Sequence, residues 1–178
     1  MNNDNLWNKI KEFGQTHGVV LQPVEAEALI FEENVRLNCF YCGRYGNNWR
    51  CPPKIPDLNY KKIVSEFDNI VFVYNRYKIT PENENQIRFE STNHIHKSLL
   101  AMEKILFDNG ISTALSFIGG SCKLCKNGCG PTNCNNPYIA RMPVEATGMN
   151  IQKSAAKYGI EITWPITDSI LRLGMLIW

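Results

Sequence analysis

The sequence predicts an α/β fold: a mixed, mostly parallel sheet flanked by helices, in one domain over residues 1–178. Two observations carry this. Strand and helix signals alternate along the chain, the pattern that joins parallel strands through helical crossovers. No internal repeat or linker divides the 178 residues, a length that buries one sizeable core.

Asp4 is placed to cap a first helix, with Leu6, Trp7, Ile10 and Phe13 on one face and an end near Gly14 or Gly18. Residues 19–21 read as a short strand, and 27–37 as a strand or hairpin leading into Cys39. The stretch 39–56 is rich in Gly, Asn and Pro and reads as a loop. Asp57 then caps a helix carrying Tyr60, Ile63, Val64 and Phe67. Residues 69–74 (NIVFVY) form a continuous apolar, β-branched run, the mark of a buried strand.

Thr80-Pro81 opens the longest helix, with proline in the first turn and Glu82 and Glu84 at the positive end of the dipole. Its apolar face is Ile95, Leu99, Met102, Ile105 and Leu106, and Asp108-Asn109-Gly110 closes it. Residues 111–118 read as a strand running into Gly119-Gly120. Pro143 starts a last helical region, broken at Gly148 and ending at Gly159; 161–163 and 169–177 finish as strands.

Composition narrows the function classes. Apolar residues make up 44% of the chain and charged residues 20%, as in ordinary globular proteins. A net charge of +2, with basic residues dispersed and no aromatic stripe, argues against nucleic acid. The first residues lack a basic region followed by an apolar run, so no secretory signal is read there, and no apolar stretch approaches a membrane span. A cytoplasmic address is expected. Thiols stay reduced there, and an odd number of cysteines argues further against a disulfide framework.

The seven cysteines fall into two groups. Cys39, Cys42 and Cys51 form C-x2-C-x8-C, followed by Pro52-Pro53. Cys122, Cys125, Cys129 and Cys134 form C-x2-C-x3-C-x4-C. Four thiols within one short loop is the spacing of a metal or cluster site. Structural zinc takes two C-x2-C knuckles, and Cys39/Cys42 with Cys122/Cys125 would supply them, leaving Cys51, Cys129 and Cys134 unexplained. Iron–sulfur loops string thiolates closely around one cube, as here. Gly119, Gly120, Gly128 and Gly130 allow sharp turns that aim N–H groups at sulfur, and Lys123, Lys126 and Arg141 offset thiolate charge. The expected cofactor is therefore one or two [4Fe–4S] clusters, with zinc as the alternative.

The first loop leaves one iron of a cube without a thiolate. Water, a substrate atom, Asp57 or a residue distant in sequence could complete it, or both loops could share one larger site. An open position is what a catalytic metal needs.

The motifs C-x2-C-x2-YG-x2-W-x-CPP at 39–53 and C-x-LC-x3-C-x4-C at 122–134, followed by Pro137, Arg141, Pro143, Glu145, Ala146 and Gly148, resemble an uncharacterised prokaryotic family of predicted metal-binding proteins. Val144 departs from that family's pattern, which has serine there. The resemblance spans roughly residues 21–163 and implies metal binding. The family's occurrence in anaerobes favours iron–sulfur, and the resemblance implies no reaction.

Arg44 and Arg50 flank the first loop, and Arg141 and Glu145 follow the second. They are candidate substrate-binding residues, or ion pairs that anchor the loops. Tyr45 and Trp49 either shield a cluster or pack the loop. His17, His94 and His96 are expected at the surface, and no phosphate loop or nucleophile elbow is present. The function expected is electron transfer, or reductive activation of a redox partner protein or small-molecule substrate. A zinc-stabilised binding module without catalysis is the alternative.

Overall fold

The computed structural model describes residues 3–178, with side chains from residue 5 onward. Helix α1 (Asn3–Thr16) leads into strand β1 (Val20–Pro23). Helices α2 (Glu33–Tyr41) and α3 (Tyr60–Val64) follow, then strand β2 (Ile70–Lys78) and the long helix α4 (Glu84–Asp108). Strand β3 (Leu115–Phe117), the short helix α5 (Ile151–Ala156) and strand β4 (Ser169–Ile177) complete the order.

The sheet order is β1-β2-β4-β3, and every neighbouring pair is antiparallel. This overturns the mostly parallel sheet expected from alternation. The reason is topological. Both β2 and β3 run antiparallel to β4, so they point the same way and α4 connects them as a crossover. They do not pair, because β4 inserts between them. Alternation reports the crossover but not a later strand that fills its gap.

Both faces of the sheet are covered, as its continuous apolar runs require. Phe72 lies opposite Met175, and both pack in a layer with Tyr60, Val64, Met149 and Ala155. Val71 lies opposite Leu176, and these meet Ile10 of α1 and Leu99 and Met102 of α4. Each such buried side chain is worth about 1.5–3 kcal/mol. Helix α4 presses closely on β4 at Gly174, where a Cβ would come within 2.7 Å of both Leu99 Cδ1 and Phe117 O.

Several boundaries differ from expectation. The strand or hairpin expected over 27–37 is a 3-10 turn (Ala26–Ala28) followed by α2. Helix α4 starts after Asn83, so Thr80-Pro81 lie in the preceding turn. Asn59, not Asp57, caps α3, accepting from Lys62 N at 3.0 Å, while Asp57 pairs with Arg36. The strand expected over 111–118 shortens to β3, and 161–163 forms no strand. The last helical region is a 3-10 turn (Glu145–Thr147), a break at Gly148 with φ +89°, and then α5. The cap expected of Asp4 lies outside the described side chains. Among the described residues no helix is long and apolar enough to cross a membrane.

Candidate metal centre between two cysteine loops

The first cysteine loop leaves a helix rather than a strand. Cys39 sits in the last turn of α2, and Cys42 is its C-cap, with its N–H on Cys39 O at 3.4 Å. Helix α2 buries none of its own residues and is tied at its start, where Glu32 takes a salt bridge from Lys153 at 2.6 Å. Gly43 and Gly46 have φ of +71° and +69°, which turns the chain sharply after Cys42. Gly46 N–H then donates to Pro52 O at 2.9 Å and closes the loop. Cys51 is buried, Cys39 half-buried and Cys42 exposed.

The second loop does leave a strand. After β3, Ile118 is locked to the 142–144 segment by two backbone bonds, its N–H to Met142 O and its O from Val144 N–H. Gly119 packs on Leu173 O with no room for a Cβ, and Gly120 turns with φ +77° into Cys122. All four thiols of this loop are half-buried.

The loops are clasped together by three consecutive residues of the first. Asn48 Nδ2 donates to Cys122 O at 3.1 Å, Trp49 Nε1 to Gly130 O at 2.8 Å, and Arg50 Nη2 to Pro137 O at 2.6 Å. Trp49 therefore works as a tie between loops. Tyr45 stays partly exposed and packs edge-on against Phe40.

Two adjoining cavities result. One, of about 400 Å³, is lined by Cys122, Cys125, Cys129 and Cys134. The other, of about 610 Å³, is lined by Cys39, Cys42 and Cys51, with Glu145 and Arg172. Arg44, Arg88 and Lys123 line both and form their common wall. Arg50 lines the four-thiol cavity. Arg141 lines neither, and forms a salt bridge with Glu103 instead.

The electrostatics follow from this crowding. Burial, then the neighbouring Cys42, Cys39 and Cys122, pushes the Cys51 thiol up to about 12. Burial and Cys42 raise Cys39, and burial raises Cys122, with Cys129, Cys134 and Cys125 adding to it. Burial also raises the Glu145 carboxyl, whose Oε2 accepts from Gly120 N–H at 3.3 Å. Burial lowers Lys123 to about 8, helped by Arg172, Arg44 and Arg88. Thiols that oppose one another's ionisation become good ligands once a cation binds among them.

The donor set fits a thiolate-bound metal group. Asn136 Nδ2 donates to Cys125 Sγ at 3.1 Å, the kind of outer bond that tunes a cluster. Among the described residues, however, no three His, Cys, Asp or Glu side chains are arranged to hold a single metal ion. One tetrahedral zinc with Zn–S of about 2.3 Å would draw its sulfurs to within about 4 Å of each other. Here the thiols line the walls of the two cavities.

Sequence reasoning missed Asn48, Asn136, Arg88 and Arg172. Arg172 had a signal: it is the one charge in the otherwise apolar run SILRLGMLI of a central strand, and such a charge must face a cavity or a partner. The histidines also differ from expectation. His96 is fully buried and His94 half-buried, the latter bonded to Tyr77 Oη at 2.6 Å, whereas His17 is exposed.

The chain belongs to the family described as predicted metal-binding protein (DUF2284), which matches residues 22–178. No match was found among curated proteins or among solved structures.

Proposed function

We propose that the two cysteine loops hold one or two [4Fe–4S] clusters. The protein then serves in electron transfer, or in reductive activation of a partner protein or small substrate. The observation that carries this reading is the 400 Å³ cavity walled by four thiols. Its cations, Arg44, Arg50, Arg88, Lys123 and Lys126, offset thiolate charge, and the Asn136 amide points at one sulfur. Cys122, Cys125, Cys129 and Cys134 would hold one cluster; Cys39, Cys42 and Cys51 would hold or share the other. A bound cluster supplies one-electron chemistry.

The reading of a zinc-stabilised module retains one supporting observation: Cys51 and Cys122, from different loops, lie near enough to feel each other's charge. Anaerobic purification with iron, zinc and acid-labile sulfide assays separates the two. Iron and sulfide in near-equal amounts, with colour bleached by dithionite, are expected. Stoichiometric zinc without sulfide sinks the cluster reading. With Cys125→Ser and Cys39→Ser, separate partial losses of iron mean two clusters, and complete loss with either means one shared site.

A further inference from the structure

The three-thiol cavity carries positive charge that the fold does not balance. Its lining includes four basic residues, Arg44, Arg88, Lys123 and Arg172, against one carboxylate, Glu145. Arg88 is paired with Glu84 at 2.6 Å. Among the described residues, Arg44, Lys123 and Arg172 have no carboxylate within salt-bridge distance. Lys123 Nζ spends its bonds on neutral oxygens, Arg88 O at 2.9 Å and Thr92 Oγ1 at 3.2 Å. Arg172 does likewise, with Nε on Ser91 Oγ at 3.1 Å and Nη2 reaching Arg88 O at 3.5 Å. These bonds aim both side chains without neutralising them. Arg172 Nη1 is left over, and it lies beside Gly120 on the cavity wall, 3.8 Å from where a Cβ would be.

Gathering like charges in a half-buried space is costly unless an anion joins them. Thiolate charge in the four-thiol cavity can offset Arg44 and Lys123, which face it too, whereas Arg172 lines only the larger one, where Glu145 and the three thiols of the first loop are its counter-charges against four basic residues. The lining of that cavity also includes apolar side chains, Met149, Ile151, Ile162 and the largely exposed Trp164. Its volume of about 610 Å³ lies in the range of small-molecule sites, and a cluster on Cys39, Cys42 and Cys51 would take part of it.

We propose that this cavity binds a small organic anion, its carboxylate or phosphate head on Arg172, Lys123 and Arg44 and its apolar body against Ile162 and Trp164. The guanidinium fork of Arg172 suits a planar or tetrahedral oxyanion. The inference rests on the cluster reading only for what the bound anion would face, the thiols of the first loop.

Anaerobic calorimetric titration of the full chain tests it, with iron and sulfide assayed on the same sample. The probes are benzoate, phenyl phosphate, inorganic phosphate and neutral benzyl alcohol. Saturable binding of benzoate or phenyl phosphate, weakened by added salt, is expected. Whichever of the two binds tighter identifies the head group. Arg172→Gln should weaken it at least about tenfold, the loss of one charged hydrogen bond. Should Arg172→Gln fail to fold, Arg44→Gln in the exposed loop reads the same charge. Trp164→Ala should weaken the aromatic anions and leave inorganic phosphate unchanged. The inference is overturned if benzyl alcohol binds equally well, if no anion binds saturably, or if binding is indifferent to these substitutions. Iron and sulfide without anion binding would overturn this inference alone; anion binding without them would overturn the cluster reading alone.

Discussion

Asn48 reaches from the first cysteine loop to the carbonyl oxygen of Cys122 in the second, at 3.1 Å, while its own Oδ1 accepts from Arg50 N–H at 2.9 Å. One buried amide thus shapes its own loop and ties it to the other.

Asn48→Ala is expected to destabilise the protein by about 1–3 kcal/mol, because it strands the part-buried Arg50 N–H and Cys122 carbonyl. Denaturant midpoints measure this. A change within about 0.5 kcal/mol, ordinary for a surface substitution, would mean that the loops do not depend on this tie.

His96 gives a prediction in pH. It is fully buried, Nε2 meets Ile139 O at 2.9 Å, and Nδ1 has no partner. Burial lowers its pKa below 6.5, nearby Arg141 adds to this, and Glu103 and the Ile139 carbonyl oppose it. A histidine whose folded pKa is depressed contributes fully above its unfolded pKa. That contribution is lost as pH falls from about 6.5 through the lower folded value. Stability should therefore drop over that window in the native chain and drop less in His96→Gln. Parallel profiles for the two proteins would show that another group sets the acid limb.

Arg141 and Glu103 form a pair on the rim of the sheet, with side chains only 24% and 13% exposed, and Ser116 Oγ donates to the same carboxylate at 2.5 Å. Removing either charge should cost about 2–3 kcal/mol, since each leaves the other poorly solvated. A double-mutant cycle with Arg141→Met and Glu103→Gln should give a coupling energy of at least about 1 kcal/mol. Additive losses would return Arg141 to the pool of residues free to bind a ligand.

Gly174→Ala should destabilise by about 1–3 kcal/mol through overpacking, because its methyl group meets Leu99 Cδ1 and Phe117 O at 2.7 Å. Adding Leu99→Val should recover part of the loss if the side chain is the obstacle. If the Phe117 carbonyl dominates, the losses will simply add.

What could be read from the sequence was what burial writes into it. The run 69–74 became the core of β2, and Asn109 ends α4 where a turn was expected. The grouping of thiols into three and four is the grouping that lines the two cavities. Helix α2 was misread because it buries nothing, so no apolar stripe marks its period. Strand direction was misread because pairing across β4 is a contact between distant segments, invisible to local alternation. Asn48 and Asn136 belong to no spacing rule; what distinguishes them is where the other loop lies.

The position of β4 bears on how the thiols meet their metal. It lies C-terminal to both cysteine loops, and it is the strand against which β3 pairs and through which β3 joins β2. During translation both loops leave the ribosome before the strand that joins β3 to β2. Metal delivered in that interval meets an open, pliable chain and can draw the thiols around itself. Metal delivered afterwards meets thiols already set in the walls of the two cavities, with Cys42 exposed.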